Sequence, residues 1–111
     1  MTTNTPDTPN GGTGAEPSGT VTITKDIALK NRYGMHVRPA GALAKVCQKY
    51  MSDVSVGNGD NIVSGKSVLG LMTLEAPVGT VLRVTATGDD AAGVMSEIEE
   101  LINNRFGIID E

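Results

Sequence analysis

Tryptophan is absent from the 111 residues, phenylalanine occurs once and tyrosine twice, so any core must be assembled from Val, Ile, Leu, Met and Ala. The single cysteine, Cys47, excludes an internal disulfide and fits a reducing compartment. One Cys and one His cannot make a zinc site, so neither metal nor cofactor is expected. Nine Lys and Arg against thirteen Asp and Glu leave a formal net charge of −4, with neither the basic stripe nor the aromatic platform of a nucleic-acid binder. No apolar run approaches the ~20 residues of a membrane span. The N-terminus also lacks the charged-then-apolar pattern of a secretory signal. These absences point to a cytoplasmic protein of one domain, expected as a monomer.

Residues 1–20 are mostly Thr, Asn, Pro, Gly and Ser, which cannot bury enough apolar surface to offset their ordering entropy, so this tail is expected to be disordered. From Val21 the pattern changes. Val21, Ile23, Ile27 and Leu29 alternate with polar residues, interrupted only by Lys25, and predict a half-buried strand. Ala40, Leu43, Ala44 and Cys47 recur at helical spacing and predict a helix over roughly residues 37–50, with Cys47 on its apolar face as an inert thiol. Ser52–Val56 and Ile62-Val63 flank the turn residues 57–61 as a hairpin. Val68, Leu71, Met72 and Leu74 follow as a short helix with Ser67 at its start, closed by Pro77-Val78-Gly79. Leu82, Val84 and Ala86 mark a fourth strand. Gly88-Asp89-Asp90 is expected to cap a last helix whose apolar stripe is Ala91, Val94, Met95, Ile98, Leu101 and Ile102. Glu97, Glu99 and Glu100 read as its solvated face, and residues 106–111 as a flexible end. The resulting order, βαββαβα with short loops and half-buried strands, is an α+β fold: a four-stranded antiparallel sheet with helices on one face.

Chemistry concentrates at Gly34-Met35-His36-Val37-Arg38-Pro39-Ala40, which holds the only histidine. His36 falls where a strand passes into a helix, and helix N-terminal amides and dipole receive anions there. An unprotonated imidazole nitrogen is a usable nucleophile near neutral pH. Arg38 adds a forked cation that can engage phosphoryl oxygens, Pro39 suits a first helical turn, and Gly34 allows a turn that leaves the imidazole edge open. A lone histidine is more often a surface residue capping a helix, but its Gly, Arg and Pro neighbours favour phosphate chemistry. Gly65-Lys66-Ser67 is not a Walker A motif, because Gly59 stands one residue from where that motif needs glycine. Ser67 reads either as a plain N-cap or as a phosphorylation site. A phosphate there would bring about −2 charge to the apolar surface of Val68, Leu71 and Met72.

These two motifs, at this separation and followed by Gly79-Thr80, resemble HPr, the histidine-containing phosphocarrier family of the bacterial phosphoenolpyruvate-dependent sugar phosphotransferase system. The resemblance spans about residues 21–105, and the family's open-faced βαββαβα sandwich agrees with the order read above. It implies that His36 takes a phosphoryl group on Nδ1 from phosphorylated enzyme I and passes it to enzyme IIA domains, with Arg38 stabilising the group in transit. It further implies that Ser67 is the serine modified by HPr kinase/phosphorylase, and that Met35, Val68, Leu71 and Met72 belong to the face on which partners dock. Two positions depart from the family pattern: Val37 stands where alanine or threonine is usual, and Gly41 where alanine is common. Neither removes a group that transfer needs. The other readings are a regulatory paralogue, nitrogen-type or kinase-controlled, that binds partners with little transport flux, and a small-ligand-binding domain. Convergent polar groups for the latter are not evident in the sequence.

Overall fold

The structure, a computed structural model, describes residues 20–108. The expected tail thus lies outside the described residues apart from residue 20, as do residues 109–111. The elements are β1 (Val21–Ala28), α1 (Val37–Gln48), β2 (Asp53–Asn58), β3 (Asn61–Ser64), α2 (Val68–Met72), β4 (Val81–Gly88) and α3 (Ala91–Asn103), followed by a 3-10 turn at Arg105–Gly107. The strands form one sheet in the order β1-β4-β2-β3, with every neighbouring pair antiparallel. This is the α+β open-faced sandwich that the pattern predicts. Gly59 at φ +61 and Asp60 form the tight turn between β2 and β3, where only a residue without Cβ enters that region freely.

Alternation decides which sheet face is covered. In β4, Leu82, Val84 and Ala86 point into the core, while Val81 and Arg83 face outward. The open face carries hydroxyl pairs between Thr22 and Thr87 and between Thr24 and Thr85, each 3.1 Å apart. Arg83 joins them there with a forked bond to Asp26. Against the other face α1 buries Pro39, Ala40, Leu43, Ala44, Val46 and Cys47, and α3 buries Ala91, Val94, Met95, Ile98 and Ile102. Burial pushes the Cys47 thiol up to about 11, consistent with an inert core residue.

Lys25 is accounted for, and three expectations need correcting. Lys25 interrupts the alternation of β1 because its side chain reaches α3, donating from Nζ to Glu99 Oε1 at 2.7 Å. The acidic face of α3 is therefore not simply solvated: Glu97 also accepts from Tyr50 Oη at 2.6 Å and from Lys49. Asp90 occupies the N-cap position of α3 but makes no side-chain bond to that helix. Its carboxylate instead accepts from the backbone N–H groups of Met51 and Ser52, both at 2.9 Å, and from the Ser52 hydroxyl, fixing the loop between α1 and β2. The chain also does not fray directly after Asn103: Phe106 and Ile108 are buried against the core, so the flexible end expected over 106–111 does not hold at these two residues.

Backbone hydrogen bonds join the loop before α1 to the loop after α2. The Met35 N–H donates to Ala76 O at 2.8 Å, Leu29 N–H to Thr80 O at 2.9 Å, and Gly79 N–H to Leu29 O at 2.8 Å. Between these bonds Gly34 adopts φ +67, and a Cβ on it would lie 2.2 Å from Ala76 O and 2.8 Å from Pro77 Cα. No other residue type meets both demands.

Gly34→Ala is accordingly expected to destabilise the protein by at least about 2 kcal/mol in urea denaturation, the sum of left-handed strain and backbone collision. A second prediction concerns acid. The bonds from the Ser52 hydroxyl and the Met51 N–H hold the Asp90 carboxyl below the usual carboxylate range. The ionised group thus favours the folded state above that range, and the benefit is lost as pH falls through its lowered folded value. Urea denaturation should show Asp90→Asn less stable than wild type at about pH 7, with the difference shrinking as pH falls below the usual carboxylate range.

Candidate functional site

The site is built on a turn whose two ends are fixed. Gly34 N–H donates to Asn31 O at 3.1 Å, and the buried Asn31 side chain donates from Nδ2 to Gly34 O at 2.6 Å. Met35 is buried immediately after it. The next residue, His36, is therefore presented from a clamped backbone. His36 is half-buried and occupies the N-cap of α1 in an extended conformation, φ −135 and ψ −166, and its imidazole makes no capping bond to that helix. The ordinary reading of a lone histidine as a helix cap therefore fails on geometry.

Ala40 N–H donates back to His36 O at 2.9 Å, and Pro39 has no N–H. Neither residue therefore offers an N–H to an anion at this turn. Arg38 is exposed at the second helical position, on the same turn as His36, and the exposed Val37 lies between them. Pro39 is buried and anchors the start of the helix. The Tyr33 ring stands nearly perpendicular to the imidazole, at 80° with ring centres 6.4 Å apart. Sequence reading had no use for that tyrosine.

Ser67 caps α2 as predicted: its Oγ accepts from Gly70 N–H at 3.0 Å. The other end of this five-residue helix is held by hairpin asparagines, Asn58 donating to Leu74 O at 3.0 Å and Asn61 to Thr73 O at 2.9 Å. Helices α1 and α2 run in opposite directions. Gln48 Nε2, at the end of α1, donates to Lys66 O at 2.9 Å, and Lys66 Nζ donates to Tyr50 O at 3.0 Å, whereas Met35 before α1 meets Ala76 after α2. Ser67 and His36 thus mark opposite ends of α1, whose 12 residues measure about 18 Å. The structure does not bring the two residues together.

The surface between them also differs from expectation. Met35 and Leu71 are core residues, 6% and 0% exposed, and offer nothing to a partner. Val68 is half-buried, and Met72 is exposed. Leu69, which the sequence reading passed over, is 79% exposed, one turn from Met72 on the same side of α2. Its signal was present: a five-residue helix that buries Leu71 must turn Leu69 and Met72 away. With Val37 and Tyr33 also exposed, the helical end carries large apolar side chains around His36 and along α2.

Comparison with known proteins agrees with this geometry. The family profile described as the PTS HPr component phosphorylation site matches residues 23–104. The phosphocarrier protein HPr of Neisseria meningitidis is 35% identical over 85 residues, covering 77% of this chain and 96% of that protein. That of Borreliella burgdorferi is 37% identical over 82 residues, covering 74% and 95%. Among solved structures, HPr-C-His from Thermoanaerobacter tengcongensis superposes with a TM-score of 0.71 at 32% identity, covering 81% of this chain and 97% of that one. The chain belongs to the HPr family, the phosphocarriers of the phosphotransferase system.

Proposed function

We propose that His36 is the phosphoryl acceptor of this carrier and that it relays the group from phosphorylated enzyme I to enzyme IIA domains in the cytoplasm. The observation that carries this reading is the clamped turn from Asn31 to Met35, which sets the only histidine at a helix N-cap without using its imidazole for capping. In the transfer, the lone pair of Nδ1 attacks phosphorus while the donor's own bond to phosphorus breaks and its electron pair returns to the leaving atom. The reverse sequence unloads the carrier, and no redox change occurs. Arg38 and the α1 N-terminus oppose the negative charge on the transferring oxygens. Arg38 is the better of the two possible cation types for this, because its planar fork spans two oxygens.

Ser67 has a second proposed role, as the site at which HPr kinase/phosphorylase controls the carrier. Its hydroxyl already accepts a backbone N–H, so phosphorylation replaces a neutral cap with a dianion beside the exposed Leu69. Since Ser67 stands at the far end of α1 from His36, the added charge acts on partner docking rather than on the imidazole. The docking face consists of Val37, Val68, Leu69 and Met72, with Met35 and Leu71 supporting it from within.

With enzyme I and phosphoenolpyruvate, His36→Ala should abolish labelling of the protein while leaving its fold intact by circular dichroism. Ser67→Asp should slow labelling mainly by raising KM, and labelling that is unchanged in Ser67→Asp would remove the regulatory role from that residue. Ser67→Ala separates structure from regulation: losing the cap should cost roughly 0.5–2 kcal/mol in chemical denaturation with transfer retained.

A further inference from the structure

We infer that Tyr33, held by Arg32, is a positioning residue that fixes the orientation of the His36 imidazole for phosphoryl transfer. The inference rests on His36 being the acceptor, and it adds a residue for which core packing gives no reason. Tyr33 is 61% exposed, so its ring contributes little to the core. It nevertheless occupies a corner of a tightly constrained turn. The Asn31–Gly34 closure is bonded twice, Asn31 is fully buried, and Gly34 is confined by the Ala76 and Pro77 backbone. A side chain on such a turn has a fixed origin.

The direction in which that side chain points is then informative. The Tyr33 ring meets the imidazole edge to face, at 80° and 6.4 Å between centres, within the range of attractive aromatic pairs. The Arg32 guanidinium lies 5.3 Å from the centre of the Tyr33 ring, inside cation–π distance. Tyr33 therefore pairs on one side with the Arg32 guanidinium and on another with the His36 imidazole. A histidine side chain has a broad, roughly two-fold χ2 preference of its own, so its ring orientation must be set by neighbours. Transfer needs one ring nitrogen aligned with the phosphorus, and small losses of alignment lower the rate of the chemical step rather than the affinity.

The test combines kinetics with NMR on the full chain, using Tyr33→Leu, Tyr33→Phe, Arg32→Gln and His36→Ala with enzyme I and phosphoenolpyruvate. Tyr33→Leu is expected to lower kcat by about three- to tenfold with KM for the carrier little changed, Tyr33→Phe to restore the rate, and Arg32→Gln to fall between them. In the unphosphorylated protein, the ring-current displacement of the His36 Cδ2 and Cε1 protons should vanish in Tyr33→Leu and persist in Tyr33→Phe. Wild-type kcat in Tyr33→Leu, or a loss confined to KM, would overturn the inference, the second outcome making Tyr33 a docking contact instead. If labelling survives in His36→Ala, the acceptor assignment fails and this inference fails with it. Normal labelling at His36 combined with an inert Tyr33→Leu overturns the inference alone.

Discussion

The approach of Gly34 to the backbone of Ala76 and Pro77 is the contact on which the helical end depends. It joins the loop before α1 to the loop after α2, two segments far apart in sequence that backbone hydrogen bonds also link. Because the approach is backbone to backbone, no side-chain rearrangement can relieve an added Cβ. Everything functional is registered from it. The Asn31 turn is closed on Gly34 O, Met35 is pulled into the core next to it, and His36 emerges at a defined point over the start of α1. A nucleophile needs placement more than it needs a pocket, and this junction supplies it from rigid elements.

The antiparallel arrangement of α1 and α2 separates His36 from Ser67. His36 stands at the start of α1 and Ser67 beside its end, with Leu69 and Met72 on the helix that begins at Ser67. Under the proposed roles that spacing suits a carrier whose chemistry and control are independent, because charge at Ser67 would fall on the partner face and away from the acceptor. Lys66, tied through Nζ to Tyr50 O, holds the start of α2 against the end of α1.

Most of the fold was legible because its signals are local. Period-two alternation in β4, the Gly59-Asp60 hairpin turn, the α3 stripe and the Ser67 cap each depend on a few neighbouring residues. What escaped was set by partners distant in sequence. Asp90 sits where a cap belongs, yet its carboxylate serves the Met51-Ser52 loop, and no pattern near Asp90 records that preference. Lys25 looked like an error in a strand until Glu99 was seen opposite it. Leu71 differs for another reason: it belongs both to the stripe that packs α2 and to the expected docking residues, and its burial makes it a core residue. The Tyr33–His36 pairing has no local sequence signal, because it depends on how the turn before α1 is clamped.

The central claim is that a single imidazole nitrogen of His36 carries the phosphoryl group. Phosphorus-31 NMR, with long-range proton–nitrogen correlation of the His36 ring after loading from phosphoenolpyruvate and enzyme I, tests it most directly. The account predicts one phosphoramidate signal, stable in base and lost in acid, with Nδ1 of His36 as the substituted nitrogen. A phosphate monoester at Ser67, or no adduct on folded protein with an enzyme I active on a control carrier, would contradict it.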